Sequence, residues 1–219
     1  VDLVARTFGA LPPRPPQAEP DPARLTVPFP AAVSSPVELT HKGRADQAIG
    51  YVAWRTGDFF TDPQAARDND VMAEVMELRL IQDLREDQGA TYSPNVAYNH
   101  SMVWPGWGYV AASVEVPPAK LPDFFADVRK IAADLKAHPP TADEMERARK
   151  PRIDNLQKAR ETNGYWVGEL SGAQRDPRRL DAIRAIVPGT ERVTADDVQR
   201  AARRVLNDDR MWMLEVRPE

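Results

Sequence analysis

One long amphipathic helix, with a marked beginning and a marked end, is the feature that most constrains the fold of this chain. Asp62-Pro63 is typical of a helix start, because aspartate accepts free backbone amides and proline fits the first helical position. Gly89 should stop the helix just after Gln88, so that the chain then enters a strand. In between, apolar residues recur at three- and four-residue steps and predict a buried stripe of Val71, Val75, Leu78, Ile81 and Leu84.

Shorter strands and helices alternate along the rest of the chain. Helices are predicted over 121–137, after the capping box at Thr141–Glu144 and after Thr194, and Pro151 should kink or break the second of these. This order favours an α+β fold in which long helices pack on one face of a mostly antiparallel sheet. Apolar runs bounded by turn residues predict strands over 37–44, 47–56, 90–99, 109–116 and 211–216.

A proline-rich segment divides the chain near its beginning. Nine of the 21 prolines fall between Pro12 and Pro36, and such a stretch cannot form a regular helix or an inner strand. We therefore expect a tail helix of a preceding domain over residues 1–11, a stiff linker over 12–36 and the main domain over 37–219. The alternative for residues 1–11 is a frayed terminal helix of a self-contained domain.

Composition limits the classes of function. With 29 basic and 33 acidic residues the formal net charge is -4, which argues against nucleic acid as a partner. No apolar run in the sequence is long enough to span a membrane. Cysteine is absent, which removes disulfides, thiolate catalysis and cysteine-ligated metals, and is compatible with either cytoplasm or periplasm.

The sequence contains no recognisable metal-binding or nucleophilic motif. Its three histidines, His41, His100 and His138, are far apart, and none begins an HxxEH or HExxH pair that would place two imidazoles on one helical face. We expect them to be surface and turn residues. Neither a GxSxG nucleophile turn nor a phosphate-binding GxxxxGKS/T loop occurs. We therefore expect no cofactor in this chain.

The junction after the long helix holds two side chains suited to a peptide. Arg85 lies in the predicted last turn of the helix, and Tyr92 lies seven positions later on the predicted strand. Both can point beyond the sheet edge, where a guanidinium and a phenol can donate to a peptide carbonyl or to its oxyanion. Each residue also has a purely structural explanation, because arginine complements a helix C-terminus and a strand tyrosine packs on its sheet.

Aromatic residues near a predicted β-turn are a second place where a peptide could lie. Trp104, Trp107 and Tyr109 surround a Pro-Gly turn and could floor a peptide groove. Local packing within the turn is the more common role of such aromatics. An extended peptide could also add to an exposed sheet edge, but the sequence does not identify the edge strands.

Several segments, in the same order, resemble the C-terminal half of the pitrilysin/insulinase superfamily of zinc peptidases, the inverzincins. The run from Leu78 to Ser93 resembles the family's long helix, Leu-Arg-Glu, glycine and tyrosine. Val193–Asn207 and Met211–Val216 together resemble its closing helix and strand. Val4–Pro13 resembles the end of a preceding family domain, and Glu161–Trp166 is similar to a segment of the larger bacterial zinc proteases.

The resemblance implies a fold like that of the LuxS and mitochondrial-processing-peptidase metalloenzymes, and a chamber built from homologous α+β domains. Zinc is then expected in the N-terminal half of the parent protein or in a partner subunit, where an HxxEH-containing domain cuts a peptide substrate. Residue by residue, Arg85 and Tyr92 match the family's pair that binds substrate and transition state. The implied role is that of a non-metal, substrate-binding C-terminal domain of a zinc metalloendopeptidase, inactive alone because it lacks HxxEH.

Two other functions are open on the sequence alone. The chain could be a structural or assembly domain that keeps the fold without the chemistry, because fold does not imply function. It could also be a free-standing peptide-binding module. For its location, we favour the periplasm or cell envelope over the cytoplasm.

Overall fold

The structure is a computed structural model that describes residues 1–13, 15, 18, 21–88 and 94–219, with the backbone alone at residues 22 and 84–88. Short 3₁₀ turns lie at Phe8–Ala10, Pro22–Leu25, Pro118–Lys120 and Asp208–Arg210. The helices and strands in chain order are α1 (Asp2–Arg6), β1 (Val37–His41), β2 (Ala48–Thr56), α2 (Pro63–Gln88), β3 (Asn95–His100), β4 (Gly108–Val116), α3 (Leu121–Ala137), α4 (Ala142–Ala159), α5 (Asn163–Leu170), α6 (Arg178–Glu191), α7 (Ala195–Val205) and β5 (Met211–Pro218).

The strands form one mixed sheet in the order β1-β5-β2-β4-β3. The pair β1–β5 is parallel, whereas β2–β5, β2–β4 and β3–β4 are antiparallel. The prediction of an α+β fold with a mostly antiparallel sheet is therefore confirmed. The two edges, which the sequence does not identify, are β1 and β3.

The core lies between the helices and one face of the sheet. Along β2, β4 and β5 alternate side chains point to the same face, and on the helix side Val52, Trp54, Val114 and Met213 are at most 4% exposed. Helices α2, α3 and α7 pack against these strands. The expected packing of the long helices on one face is thus confirmed.

Helix α2 has the predicted ends, but its buried surface is wider than the predicted stripe. Val71 and Val75 are fully buried, whereas Leu78 and Ile81 are only partly buried. Met72, Met76 and Leu80 are fully buried instead. The difference arises because α2 contacts β3, α3, α4, α6 and α7, so neighbours surround it on several sides rather than along one line.

Local signals at helix ends are confirmed, and two other predictions need correction. The hydroxyl of Thr141 accepts from the Glu144 amide at 3.3 Å, and the Glu144 carboxylate accepts from the Thr141 amide at 2.7 Å. Helix α4 is not broken at Pro151, which lies on its exposed side, where solvent can satisfy the carbonyl that loses its donor. His100 is not a surface residue, since it lies half-buried 5.1 Å from the rings of both Phe59 and Tyr98.

A partly buried ion cluster joins α2 to α4. Arg152 donates to Asp70 at 2.5 Å and lies 3.5 Å from Glu74. Burial raises the pKa of Asp70 from 3.8 to about 6, although the nearby Arg152 opposes this shift. Because the pKa is raised in the folded protein, the stability linked to this proton is fully present below about pH 4 and is lost as the pH rises through about 6.

Removal of the cation from this cluster should destabilise the fold most at neutral pH. We expect Arg152→Gln to lower the free energy of unfolding by about 3–5 kcal/mol at pH 7.5, because Asp70 is left charged without its main partner. The loss should shrink at pH 5, where Asp70 takes up a proton. Urea titrations at both pH values measure this. Arg147→Gln, at an exposed ion pair with Asp143, is the control and should change stability by less than about 0.5 kcal/mol. Equal losses at both pH values for Arg152→Gln would contradict the role of Asp70.

A close approach between α3 and the sheet depends on Gly50. A Cβ at this position would lie 2.6 Å from Cδ1 of the fully buried Phe124. We expect Gly50→Ala to lower the free energy of unfolding by about 1–3 kcal/mol, since the ring has no room to move. Gly168→Ala is the matched control, because a Cβ there has no neighbour within 4 Å and alanine favours a helix by up to about 1 kcal/mol. Equal stability of the two variants in urea would show that the contact is not constraining.

Candidate functional site: the open face of the sheet and its neighbouring cleft

The face of the sheet opposite the helices carries partly exposed apolar side chains. We call this surface the open face. Val37, Leu39 and Ile49 are 39%, 53% and 42% exposed, respectively. The other members are partly buried and comprise Tyr51, Trp212, Leu214 and Val216.

Cross-strand register arranges these residues in rows. Val37 lies beside Leu214, which lies beside Tyr51. In the next row Leu39 lies beside Val216, which lies beside Ile49. Because neighbouring strands are about 4.8 Å apart, the two rows form an apolar strip across β1, β5 and β2.

Two phenols provide hydrogen-bonding groups on the open face. Tyr51 contacts Trp212 edge-on, with ring centroids 6.2 Å apart. Burial raises the pKa of Tyr51 to about 12, and the neighbouring phenol of Tyr109 adds to the shift. The Tyr51 hydroxyl therefore stays protonated at physiological pH and can donate to a peptide carbonyl.

The aromatic residues singled out in the sequence separate in the structure. Trp107 packs edge-on against Tyr109 at 5.2 Å, as expected of local packing, and Phe29 lies 6.2 Å from Tyr109 on another side. Tyr109 belongs to the open face, beside Arg55 of β2. Trp104 lies in the turn between β3 and β4 and is 41% exposed.

A cleft of about 700 Å³ adjoins the open face at the end of β2. Its walls are residues 29–32, the end of β2, the first turns of α2 and the end of α7. The segment 29–33 is fixed here because the Val33 amide donates to the Met211 carbonyl at 3.0 Å. Phe29 contributes to the cleft wall and also contacts Tyr109, so the cleft and the open face are continuous.

The predicted pair Arg85 and Tyr92 lies at the edge of what the structure describes. The backbone of Arg85 lies in the last turn of α2, as predicted, but its side chain is outside the described part, and Tyr92 lies outside the described residues altogether. The same helix fixes edge strand β3, since Glu77 accepts from the Val96 amide at 2.6 Å and from Asn95 at 3.3 Å. The two predicted residues thus flank, in sequence, the step from α2 to β3.

The described part of the chain offers no arrangement of His, Asp and Glu side chains that could hold a metal ion. His41 accepts from the Gly43 amide at 2.8 Å, and His138 bonds to Asp134 at 2.9 Å at the end of α3. Burial, together with the charge of Arg152, lowers the pKa of His100. The zinc that the resemblance implies therefore finds no fitting ligands among these residues.

Within the part of the chain that the structure describes, none of the helices has the length and apolarity needed to cross a bilayer.

Sequence reasoning missed the open face and the cleft. The alternation of Trp212, Leu214 and Val216 with buried methionines in β5 was the available signal, because it makes both faces of that strand apolar. The cleft had no local signal, since its walls come from segments far apart in the chain.

Comparison with known proteins identifies the family. The model of the peptidase M16 inactive domain matches residues 1–151. No curated protein matches the sequence significantly. Solved structures that share the fold include the following three. The peptidase M16 inactive domain from Pseudomonas fluorescens is 18% identical, with a TM-score of 0.65 over 88% of this chain and 47% of that one.

The other two structures are much longer proteins. The periplasmic protease PqqL from Escherichia coli is 12% identical, with a TM-score of 0.73 over 100% of this chain and 24% of that one. The ferredoxin protease FusC, in complex with Arabidopsis ferredoxin, is 16% identical, with a TM-score of 0.69 over 100% of this chain and 23% of that one. The chain therefore spans less than half the length of each of the three. Because the family match covers residues 1–151 of 219, the chain belongs to the peptidase M16 inactive-domain family, which confirms the resemblance to the pitrilysin/insulinase superfamily.

Proposed function

We propose that this chain is the non-metal, peptide-binding part of a zinc-dependent metalloendopeptidase and forms one wall of its chamber. The observation that carries the proposal is the open face, an apolar strip across three strands with Leu39 and Ile49 exposed by about half. Exposed apolar area of this kind marks an interaction surface. The HxxEH-containing domain that holds zinc is supplied by the N-terminal half of the parent protein or by a partner subunit.

An extended peptide fits the chemistry of the open face. Its alternate side chains can bury against the apolar rows, while the hydroxyl groups of Tyr51 and Tyr109 donate to its carbonyls. Addition of the peptide to edge strand β3 is less favourable at the beginning of that strand. The backbone amide of Val96 already donates a hydrogen bond to Glu77 and cannot pair with a peptide. We therefore place the peptide across the open face and not as a sixth strand beside β3.

Arg85 and Tyr92 are proposed to act on the same peptide. They belong to the end of α2 and to the segment just before β3, and they match the family's pair that binds substrate and transition state. In this role both donate hydrogen bonds to the scissile carbonyl or its oxyanion, next to the zinc site of the other domain.

The remaining parts of the proposal concern organisation and location. Residues 1–11 are the tail helix of a preceding domain, 12–36 the linker and 37–219 the peptidase-like domain. PqqL is described as a periplasmic protease, and we propose the periplasm or cell envelope for this chain.

The competing function is a structural or assembly domain, which the family's description as an inactive domain favours. Peptide binding distinguishes the two.

Charge placed on the open face should weaken peptide binding without unfolding the protein. The probe is an eight-residue peptide of alternating valine and serine, labelled at its N-terminus. We expect Leu39→Asp and Ile49→Asp each to weaken its binding at least about tenfold, because an ionised group replaces an apolar contact. Fluorescence anisotropy measures this. Val167→Asp, on the 73% exposed side chain in α5, is the matched control and should bind normally. Unchanged binding in Leu39→Asp and Ile49→Asp would show that the peptide does not lie on the open face, and no binding by the unsubstituted protein would favour the assembly domain.

Loss of either predicted donor should slow the complete peptidase. We expect Arg85→Ala and Tyr92→Phe each to lower kcat/KM roughly 10- to 1000-fold, the scale of losing one oxyanion donor. Peptide hydrolysis by the parent protein, with its zinc domain present, measures this. Arg147→Ala and Tyr165→Phe are controls of the same residue types and should keep the original turnover. Unchanged kcat/KM in both donor variants would refute their assigned roles.

A further inference from the structure

The cleft beside the open face is lined by charged side chains of both signs. Its lining includes the guanidinium groups of Arg55, Arg204 and Arg210 and the carboxylates of Asp58, Asp62 and Asp209. The formal charges cancel, so the chemistry of the cleft depends on which of these groups are already engaged by the protein.

Two of the three carboxylates accept hydrogen bonds from the protein itself. Asp58 accepts from the amides of Phe60, Thr61 and Gly106 at 2.9, 3.0 and 2.7 Å, and from the Thr61 hydroxyl at 2.6 Å. Burial would raise the pKa of Asp58, but these hydrogen bonds outweigh burial and lower it. Asp62 caps α2, where one of its oxygens accepts from the amides of Gln64 and Ala65 at 3.1 and 2.9 Å. Both oxygens of Asp58 are therefore engaged, and one oxygen of Asp62 is.

The arginines, in contrast, keep most of their donors. Arg204 donates one hydrogen bond, at 3.0 Å, to the side-chain amide oxygen of the buried Asn69. It also interacts electrostatically with the carboxylate of Asp68. Among the described residues the guanidinium groups of Arg55 and Arg210 have neither a hydrogen bond nor an ion pair. The same holds for the carboxylate of Asp209, which is exposed.

The remaining lining suits the stem of an acidic side chain. Ala65, Ala66 and Val205 present small apolar surfaces to the cleft. A carboxylate attached to one or two methylene groups would meet apolar walls and free guanidinium groups in the same cleft.

We infer that the cleft binds a carboxylate of the peptide that lies across the open face. The group is either an aspartate or glutamate side chain or the C-terminal carboxylate, and Arg55, which lies on both surfaces, connects the cleft to the open face. The inference rests on the proposed function, since it requires a peptide on the open face. It adds a preference for acidic peptides, set by residues of this chain and independent of the zinc domain.

Three matched peptides test the inference by fluorescence anisotropy on the 219-residue chain. All are eight-residue valine–serine peptides with an N-terminal label. The first has one central glutamate and an amidated C-terminus, the second has glutamine in its place, and the third has glutamine and a free C-terminal carboxylate. We expect at least one carboxylate peptide to bind about tenfold more tightly than the amidated glutamine peptide, the effect of one charge-assisted hydrogen bond pair. The preference should weaken in 0.5 M salt (roughly a 4 Å screening length) because the cleft is open to solvent.

Variants locate the preference in the cleft. The double variant Arg204→Gln/Arg210→Gln changes cleft residues that lie off the open face, and it should lose the preference while it still binds the amidated glutamine peptide. Arg210→Gln alone removes no described side-chain hydrogen bond or ion pair and should lose part of the preference. Arg184→Gln, at an exposed pair with Asp181 on α6, removes the same charge elsewhere and should keep the preference.

The outcomes separate this inference from the proposed function. Tighter binding of the glutamate peptide alone assigns the cleft to a side chain, and tighter binding of the free-carboxylate peptide alone assigns it to the C-terminus. Equal binding of all three peptides, or a preference that survives in the double variant, overturns the carboxylate site and leaves the open face as a peptide surface. No binding of any peptide overturns both.

Discussion

The packing of α2 against one face of the sheet is the interaction on which the rest of the structure depends. This helix contacts β3 and four other helices, and its fully buried side chains form the centre of the core. Its carboxylates also fix its neighbours, since Glu77 accepts from the backbone amide of Val96 in β3 and Asp70 pairs with Arg152 of α4. Because α2, α3 and α7 pack on this side, the apolar residues of the opposite face stay partly exposed.

The sequence predicted the elements whose signals are local. The beginning and end of α2, the capping box at Thr141, the N-cap at Thr194 and the α3 span are set by residues within one helical turn, and the structure has them where expected. The details of burial were less predictable. Met72 and Met76 replace Leu78 and Ile81 in the deepest contacts, because burial depends on neighbours that join α2 from distant parts of the chain.

The candidate site shows the same limit more strongly. The resemblance located the family and the end of α2, where Arg85 lies, yet it gave no indication of the open face. Val37, Leu214 and Tyr51 become neighbours only because β5, which is far away in sequence, pairs with both β1 and β2. The cleft combines Arg55 with Arg204 and Arg210 in the same way. His100 was expected to be a surface or turn residue, but it is half-buried because the ring of loop residue Phe59 packs against it. Pairings of this kind cannot be read from residue spacing.

The position of β5 in the sheet has a consequence for biosynthesis. This strand inserts between β1 and β2, so that these two strands join the same sheet only through a strand that is made after all the others. A nascent chain therefore carries an incomplete sheet, with β1 detached and one side of β2 unpaired, until residues 211–218 have left the ribosome. Assembly of the sheet must wait for β5, and during that interval the unpaired border of β2 can pair with other chains.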